Sequence, residues 1–232
     1  MTDAVLNKQY NLIIDGPGLR NAFEAGVLYA FQEFKIKKPN HIIAYSWAVP
    51  LAVAYLLDMD MKEEIFKWSQ KSFPQWLLTP EKTRNIYHSF CIQIGKKFSE
   101  EAIKKKLSCL KILCSRRNSL KPKIYEKMDG DLRQLEKIMI HSGGIPFITQ
   151  NIREKFIDGG LSLWYHQIHP KDFLKKEEFS FRISVWKRSD SNIFYKKKLP
   201  LKSAIFYDPI IAERLFRSWY RMGLKHLREG TI

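Results

Sequence analysis

Disulfides, metal clusters and membrane spans find little material in this sequence. Three of its 232 residues are cysteines, Cys91, Cys109 and Cys114. They form no CxxC pair, so neither a disulfide framework nor a zinc site is supported, and a reducing, cytosolic folding environment fits best. No motif calls for a metal or an organic cofactor. Long apolar runs are missing as well: the longest uncharged one, Ile42 to Leu57, stops at 16 residues and contains Pro50, against the about 20 that a transmembrane helix needs. The start, MTDAVLNKQYNLII, carries an early acid and no apolar stretch before a small-residue cleavage site. It does not read as a cleavable secretion signal, and export by another route stays open. Repeats, low-complexity tracts and long linkers are absent, which leaves residues 1–232 as a single expected domain. Acids are few, 24 against 40 Lys+Arg, and the formal charge of +16 predicts attraction to anionic membrane surfaces or nucleic acid.

What is present can build a core, since 45% of residues are hydrophobic and 13% aromatic. Tyr10 to Asp15 reads as a short strand ending at Gly16-Pro17-Gly18, after which Phe23, Val27, Ala30, Phe31 and Phe34 make a helical stripe. His41 to Tyr45 is a second strand, and Trp47 to Leu57 an apolar helix covered on most sides. From Leu132 a helix with Leu135, Ile138 and Met139 on one side leads to His141-Ser142-Gly143-Gly144-Ile145-Pro146. A strand then ends at Phe156-Ile157-Asp158-Gly159-Gly160, Phe179 to Lys187 alternates like a strand, and Ile210 to Leu227 is an amphipathic closing helix. Strands alternating with helices predict an α/β fold with a mostly parallel sheet between helical layers. The stretch from about 60 to 130, broken early by Pro74 and Pro80, reads as a helical, basic cap or insertion.

Three places can carry chemistry. Asp15-Gly16-Pro17-Gly18-Leu19-Arg20 lies between a strand and a helix, where glycines expose N–H groups and the helix adds its positive end, suiting an oxyanion or a phosphate. As a dinucleotide fingerprint it is incomplete, because the third glycine is Asn21. A tight glycine turn without a ligand is the plain alternative. Ser46 stands between an apolar strand and an apolar helix, the position of a nucleophile on a sharp elbow. It is equally the position of a helix N-cap. The usual G-x-S-x-G reads Ala44-Tyr45-Ser46-Trp47-Ala48 here, and Trp47 would either line or fill an acyl pocket. Asp158 ends a strand before two glycines; it is either a base for a nearby hydroxyl or part of an Asp-Gly turn. His166 and His169 offer a histidine triad, but no short histidine loop after an acid is identifiable.

The order of these segments resembles the patatin-like phospholipase family. The resemblance is carried by Asp15-Gly16-Pro17-Gly18-Leu19-Arg20 with Ala25-Gly26-Val27-Leu28 behind it, by Ile43 to Ala48, by Ser142-Gly143-Gly144-Ile145-Pro146, by Ile157-Asp158-Gly159-Gly160-Leu161 and by Tyr220-Arg221-Met222-Gly223. It implies a three-layer α/β/α patatin-like fold and a Ser–Asp dyad without histidine or metal, hydrolysing acyl esters of phospholipid or lysophospholipid. Ser46 would be the nucleophile and Asp158 the base. The loop of Gly16, Pro17, Gly18 and Leu19 would form the oxyanion hole, with Arg20 at its mouth; Pro17, lacking an N–H, only shapes the loop.

Between Lys96 and Lys123 there are ten basic residues and two acids, mixed with Phe98, Leu107, Leu110, Ile112 and Leu113; Lys196-Lys197-Lys198 is a second cluster. Such a mixture predicts docking on an anionic membrane, with apolar residues entering the interface. No nucleic-acid module is recognisable. The sequence therefore predicts a peripheral lipid acyl hydrolase, with two other classes left open: a non-catalytic lipid-binding or regulatory protein on the same scaffold, and a nucleotide binder at the Gly16 loop.

Overall fold

The structure, a computed structural model of the chain, describes residues 9–16, 18, 22–63, 79–145, 149–150, 154–174, 179–184, 192–194 and 209–228. Alternating elements follow in order: β1 (Asn11–Ile14), α1 (Ala22–Glu33), β2 (His41–Tyr45), α2 (Ala48–Leu56), α3 (Pro80–Lys97), α4 (Glu100–Leu107), β3 (Leu110–Arg116) and β4 (Pro122–Tyr125). Then come α5 (Leu132–Ser142), β5 (Phe156–Asp158), α6 (Gly159–His166), a 3-10 turn (Pro170–Phe173), β6 (Ser180–Ser184), β7 (Ile193–Phe194) and α7 (Pro209–Arg228). The sheet runs β4-β3-β2-β1-β6-β7, parallel from β3 to β7, with β4 and β5 antiparallel to β3. This is a mixed α/β fold with a mostly parallel central sheet flanked by helices.

Period-two alternation sorts the strand residues between two faces. Leu12, Ile14, Ile42, Ala44, Leu110, Ile112, Cys114, Phe181 and Ile183 turn to one side and join α1 to α5 and α7 in one large core. The other side carries smaller clusters, Ile13 and Ile43 with Leu174, and Tyr45 and Leu113 with Leu163 of α6. Caps set several helix starts: Thr79, Ser99 and Asp131 accept from the first-turn N–H groups of α3, α4 and α5. Helix α7 closes over α1, where a Cβ on Gly223 would stand 3.0 Å from that of Ala30 and Tyr29 packs on the rings of Phe216 and Tyr220.

The middle region departs from its helical expectation. Residues 110–125 supply a strand at the heart of the sheet and its antiparallel neighbour. Cys109 to Cys114 is an almost continuous apolar run because β3 is buried on both faces, and such a run does not distinguish strand from helix by periodicity. A second correction concerns the basic cluster. Leu107, Leu110, Ile112 and Leu113 are fully buried core residues, so they cannot enter a membrane. Among the described residues no helix is long and apolar enough to cross one. Pro17, Leu19, Arg20, Pro74, Pro146 and Lys196 to Lys198 lie outside the described residues.

Candidate active site

Sheet register brings the two candidate residues together. β2 occupies one edge of β3 as far as the pair Tyr45 and Leu113, while β4 takes the other edge, where Cys114 faces Lys123. β5 continues along the edge that β2 vacates, entering from the opposite direction with Asp158 paired to Cys114. The residue after Tyr45 must therefore abut Asp158. Ser46 sits there, with its hydroxyl beside the Asp158 carboxylate, whose charged form it favours.

Ser46 turns the chain from β2 into α2 with φ at +58°, in the left-handed region. That conformation costs an L-residue roughly 1–2 kcal/mol, so the surroundings must hold it. Its N–H donates to Ser142 Oγ at 2.9 Å, and the Ser142 hydroxyl donates to the Leu113 carbonyl at 2.7 Å. One side chain from α5 thus ties the elbow to β3. The Val49 N–H returns to the Ser46 carbonyl at 3.2 Å as α2 begins. Ala44 and Ala48 are completely buried, and Trp47 stacks in the core on Tyr87, ring centroids 5.1 Å apart. Alanines in place of glycines are absorbed by core packing, and Trp47 is a core residue.

Asp158 is braced along its backbone and at its carboxyl. Its N–H donates to the Gly144 carbonyl at 2.8 Å, its carbonyl accepts from Ser115 Oγ at 2.7 Å, and Oδ1 accepts from the Gly160 N–H at 2.8 Å. Burial pushes its carboxyl up to about 6, with the Ser46 hydroxyl and then the Gly160 N–H opposing the rise. Such a carboxyl is a stronger base than an ordinary aspartate yet stays ionised at neutral pH. The following Gly159 is required, because a Cβ there would meet the Leu113 carbonyl oxygen at 2.2 Å. Tyr87 lies close by: its buried hydroxyl has no hydrogen-bond partner among the described residues, and a Cβ on Gly143 would stand 2.3 Å from it. Burial, then the charge of Asp158, holds the Tyr87 phenol well above its usual range.

The glycine loop reaches the same spot from β1. A Cβ on Gly16 would lie 2.6 Å from Ser46 Cβ, so the loop backbone touches the elbow only because residue 16 has no side chain. Gly18 adopts φ of +61°, again a glycine conformation. Beneath the loop, Asp15 is fully buried and held by Arg182 of β6, with Nε to Oδ1 at 3.0 Å and Nη2 to Oδ2 at 3.1 Å. This forked ion pair fixes the residue preceding Gly16 to the neighbouring strand.

Sequence reading missed Ser142, Ser115 and Arg182 as supports of the site. The signal in each is a polar residue inside an apolar pattern, Ser142 continuing the Leu135 and Ile138 stripe and Arg182 lying between Phe181 and Ile183. His166 engages the Ser119 carbonyl at 3.2 Å, and His169 heads the 3-10 turn through its N–H to Asp172 at 3.0 Å. His141, buried beside Ser142, pairs with Glu154 at 3.4 Å, and burial lowers its pKa. Among the described residues no cluster of three His, Cys, Asp or Glu side chains is placed to hold a metal. Two cavities, of about 540 and 410 Å³, lie elsewhere, one beside Lys38, Tyr55 and Asp58, the other between α1 and α7.

The basic residues divide between the two ends of the sheet. Lys104, Lys105 and Lys106 close α4 just before β3 begins, and Lys106 and Lys38 both pair with Asp58 there. Arg116, Arg117, Lys121 and Lys123 belong to the β3–β4 hairpin beyond the level of Ser46. The length of β3, about 20 Å at its usual rise per residue, separates the two groups.

No protein-family model matches the chain, and no curated protein matches it. Among solved structures it is similar to the crystal structure of the type III effector protein ExoU, with a TM-score of 0.47 and 11% identity. The match covers 96% of this chain and 53% of that one, so the chain spans about half the length of that structure.

Proposed function

We propose that the protein is a serine acyl-ester hydrolase acting on phospholipid or lysophospholipid, with Ser46 as nucleophile and Asp158 as its base. The observation that carries this reading is the placement, by strand register, of Ser46 on a left-handed elbow beside a buried carboxylate whose pKa is raised to about 6. In the proposed reaction Ser46 Oγ attacks the ester carbonyl and its proton passes to Asp158. The developing oxyanion faces the loop from Gly16 to Leu19, whose Gly16 backbone is packed against Ser46. Asp158 returns the proton to the departing alcohol, leaving the acyl group on Ser46. Water then gives a proton to Asp158 and attacks the acyl-enzyme, and Asp158 returns that proton to Ser46 Oγ as the fatty acid leaves. Resemblance of the motifs to patatin-like phospholipases supplies the lipid substrate class. The excess of basic residues supports peripheral association with an anionic membrane. The three thiols are free, as a reducing, cytosolic compartment would keep them.

Intact mass after treatment with a fluorophosphonate tests the reading. One adduct on wild type, none on Ser46→Ala, and loss of ester turnover in both Ser46→Ala and Asp158→Asn are expected. An unreactive wild type with a native melting transition overturns it in favour of a lipid binder without catalysis.

A further inference from the structure

Four large hydrophobic side chains are exposed among the described residues, and two of them are consecutive: Trp164 at 76% and Tyr165 at 61%. Both lie in the last turn of α6, the helix that starts immediately after Asp158. Leu163 of the same helix is buried against Tyr45 and Leu113, so α6 is anchored on the sheet by one side and turns this aromatic pair outward. The end of α6 also reaches the β3–β4 hairpin, where His166 meets the Ser119 carbonyl at 3.2 Å and packs edge-on against Tyr165 at 5.0 Å. That hairpin, Arg116 to Lys123, carries Arg116, Arg117, Lys121 and Lys123 and no acid, and α6 has none either. Arg116 and Lys121 are exposed, and Lys123 is half-buried with its ammonium over the Tyr125 ring.

We infer that Trp164 and Tyr165, together with the β3–β4 hairpin, form the face that docks on an anionic phospholipid bilayer. Amphipathic rings settle at the depth of lipid headgroups, and cations beside them attract anionic lipid. An acidic protein surface would match the charges but would leave two exposed rings without a hydrophobic counterpart. The inference deepens the lipid-ester reading and rests on it: the face adjoins the strand ends bearing Ser46 and Asp158, so docking presents the dyad to the bilayer. It also relocates the docking surface, since Lys104 and Lys105 stand at the opposite end of the sheet.

The test uses the full chain carrying Ser46→Ala, so that no lipid is consumed, with phosphatidylcholine vesicles containing or lacking phosphatidylserine. Binding to the phosphatidylserine vesicles is expected to weaken at least about tenfold in Trp164→Ala/Tyr165→Ala and in Arg116→Ala/Lys121→Ala. Lys104→Ala/Lys105→Ala should stay within about twofold, because those side chains face away from a docked bilayer. Melting temperatures should not move, and Trp164→Tyr should retain binding. Undiminished binding by the aromatic double variant, equal loss from the Lys104/Lys105 pair, or no binding by the parent overturns the proposal. So does a dimer that the aromatic substitutions dissociate without any vesicle binding, which assigns the face to a second copy. With Ser46 restored, turnover of a soluble short-chain ester separates the two readings. Turnover without vesicle binding removes the docking face alone, and vesicle binding in the expected pattern without turnover removes the hydrolase alone.

Discussion

Two aspartates at opposite ends of the sheet are treated in opposite ways. Asp58, at the end where β2 and β3 begin, has two lysines on its carboxylate, which outweigh its partial burial and hold its pKa below the usual range. Asp158, at the Ser46 end, is closed off from water and has, among the described residues, a serine hydroxyl beside it and one glycine N–H bonded to it, and its pKa rises to about 6. In a chain with a formal charge of +16, cations are not scarce. The contrast is that the fold places cations on one carboxylate and keeps them from the other, as the proposed base requires.

Substitutions at the two aspartates and their neighbours have graded expected effects. The largest effect is expected from Arg182→Leu, which takes the guanidinium from the buried carboxylate of Asp15; losses of about 3–5 kcal/mol are usual for such a cut. Denaturant unfolding should show that loss, and fluorophosphonate labelling should fall with it as the Gly16 loop slackens. Asp158→Asn should go the other way in stability. The raised pKa means that ionising Asp158 opposes folding, so wild-type stability is fullest below about pH 4 and declines as pH rises through about 6. At pH 7 the amide should therefore gain on the order of 3 kcal/mol while ester turnover disappears. Turnover of wild type, which requires the ionised base, should rise with pH through about 6 and level off above it. A wild-type rate falling across that interval would remove Asp158 as the base. Ser46→Gly relieves the left-handed strain and should stabilise by roughly 1 kcal/mol, with no activity left. Asp58→Asn should cost least, under about 1 kcal/mol, because solvent screens its half-exposed pairs. Its contribution is present at neutral pH and is lost as pH falls from the ordinary carboxylate range to below it.

Much of the fold was legible in the chain because local signals agree with the tertiary arrangement. β1, α1, β2 and α2 follow from two strand-like runs separated by a glycine turn and a helical stripe, and α5 begins at Leu132 behind its Asp131 cap. β3 escaped because burial on both faces erases its alternation, and with it went the division of the basic residues between two ends. At the site, Ser46, Asp158 and Gly16 stand at sequence landmarks, a strand end or a glycine turn. Ser142 and Arg182 act on partners 96 and 167 positions away in the chain, a distance over which no local pattern reports. The meeting of β2 and β5 along one edge of β3 is likewise a property of register, and register has no signature in either strand alone.

The clasp of α7 on α1 sets the order in which the molecule can be completed. The loop from Gly16 leads directly into α1, and the outer face of α1 is closed by Phe216 and Tyr220, with Tyr220 bonded to Glu33 across 187 positions. During synthesis, that interval takes roughly 10–40 s at ordinary elongation rates. Through all of it the first helix waits with an apolar flank uncovered, and the loop it supports lacks its final footing. A nascent chain thus carries Ser46 and Asp158 before α7 covers α1 and gives the Gly16 loop its last support.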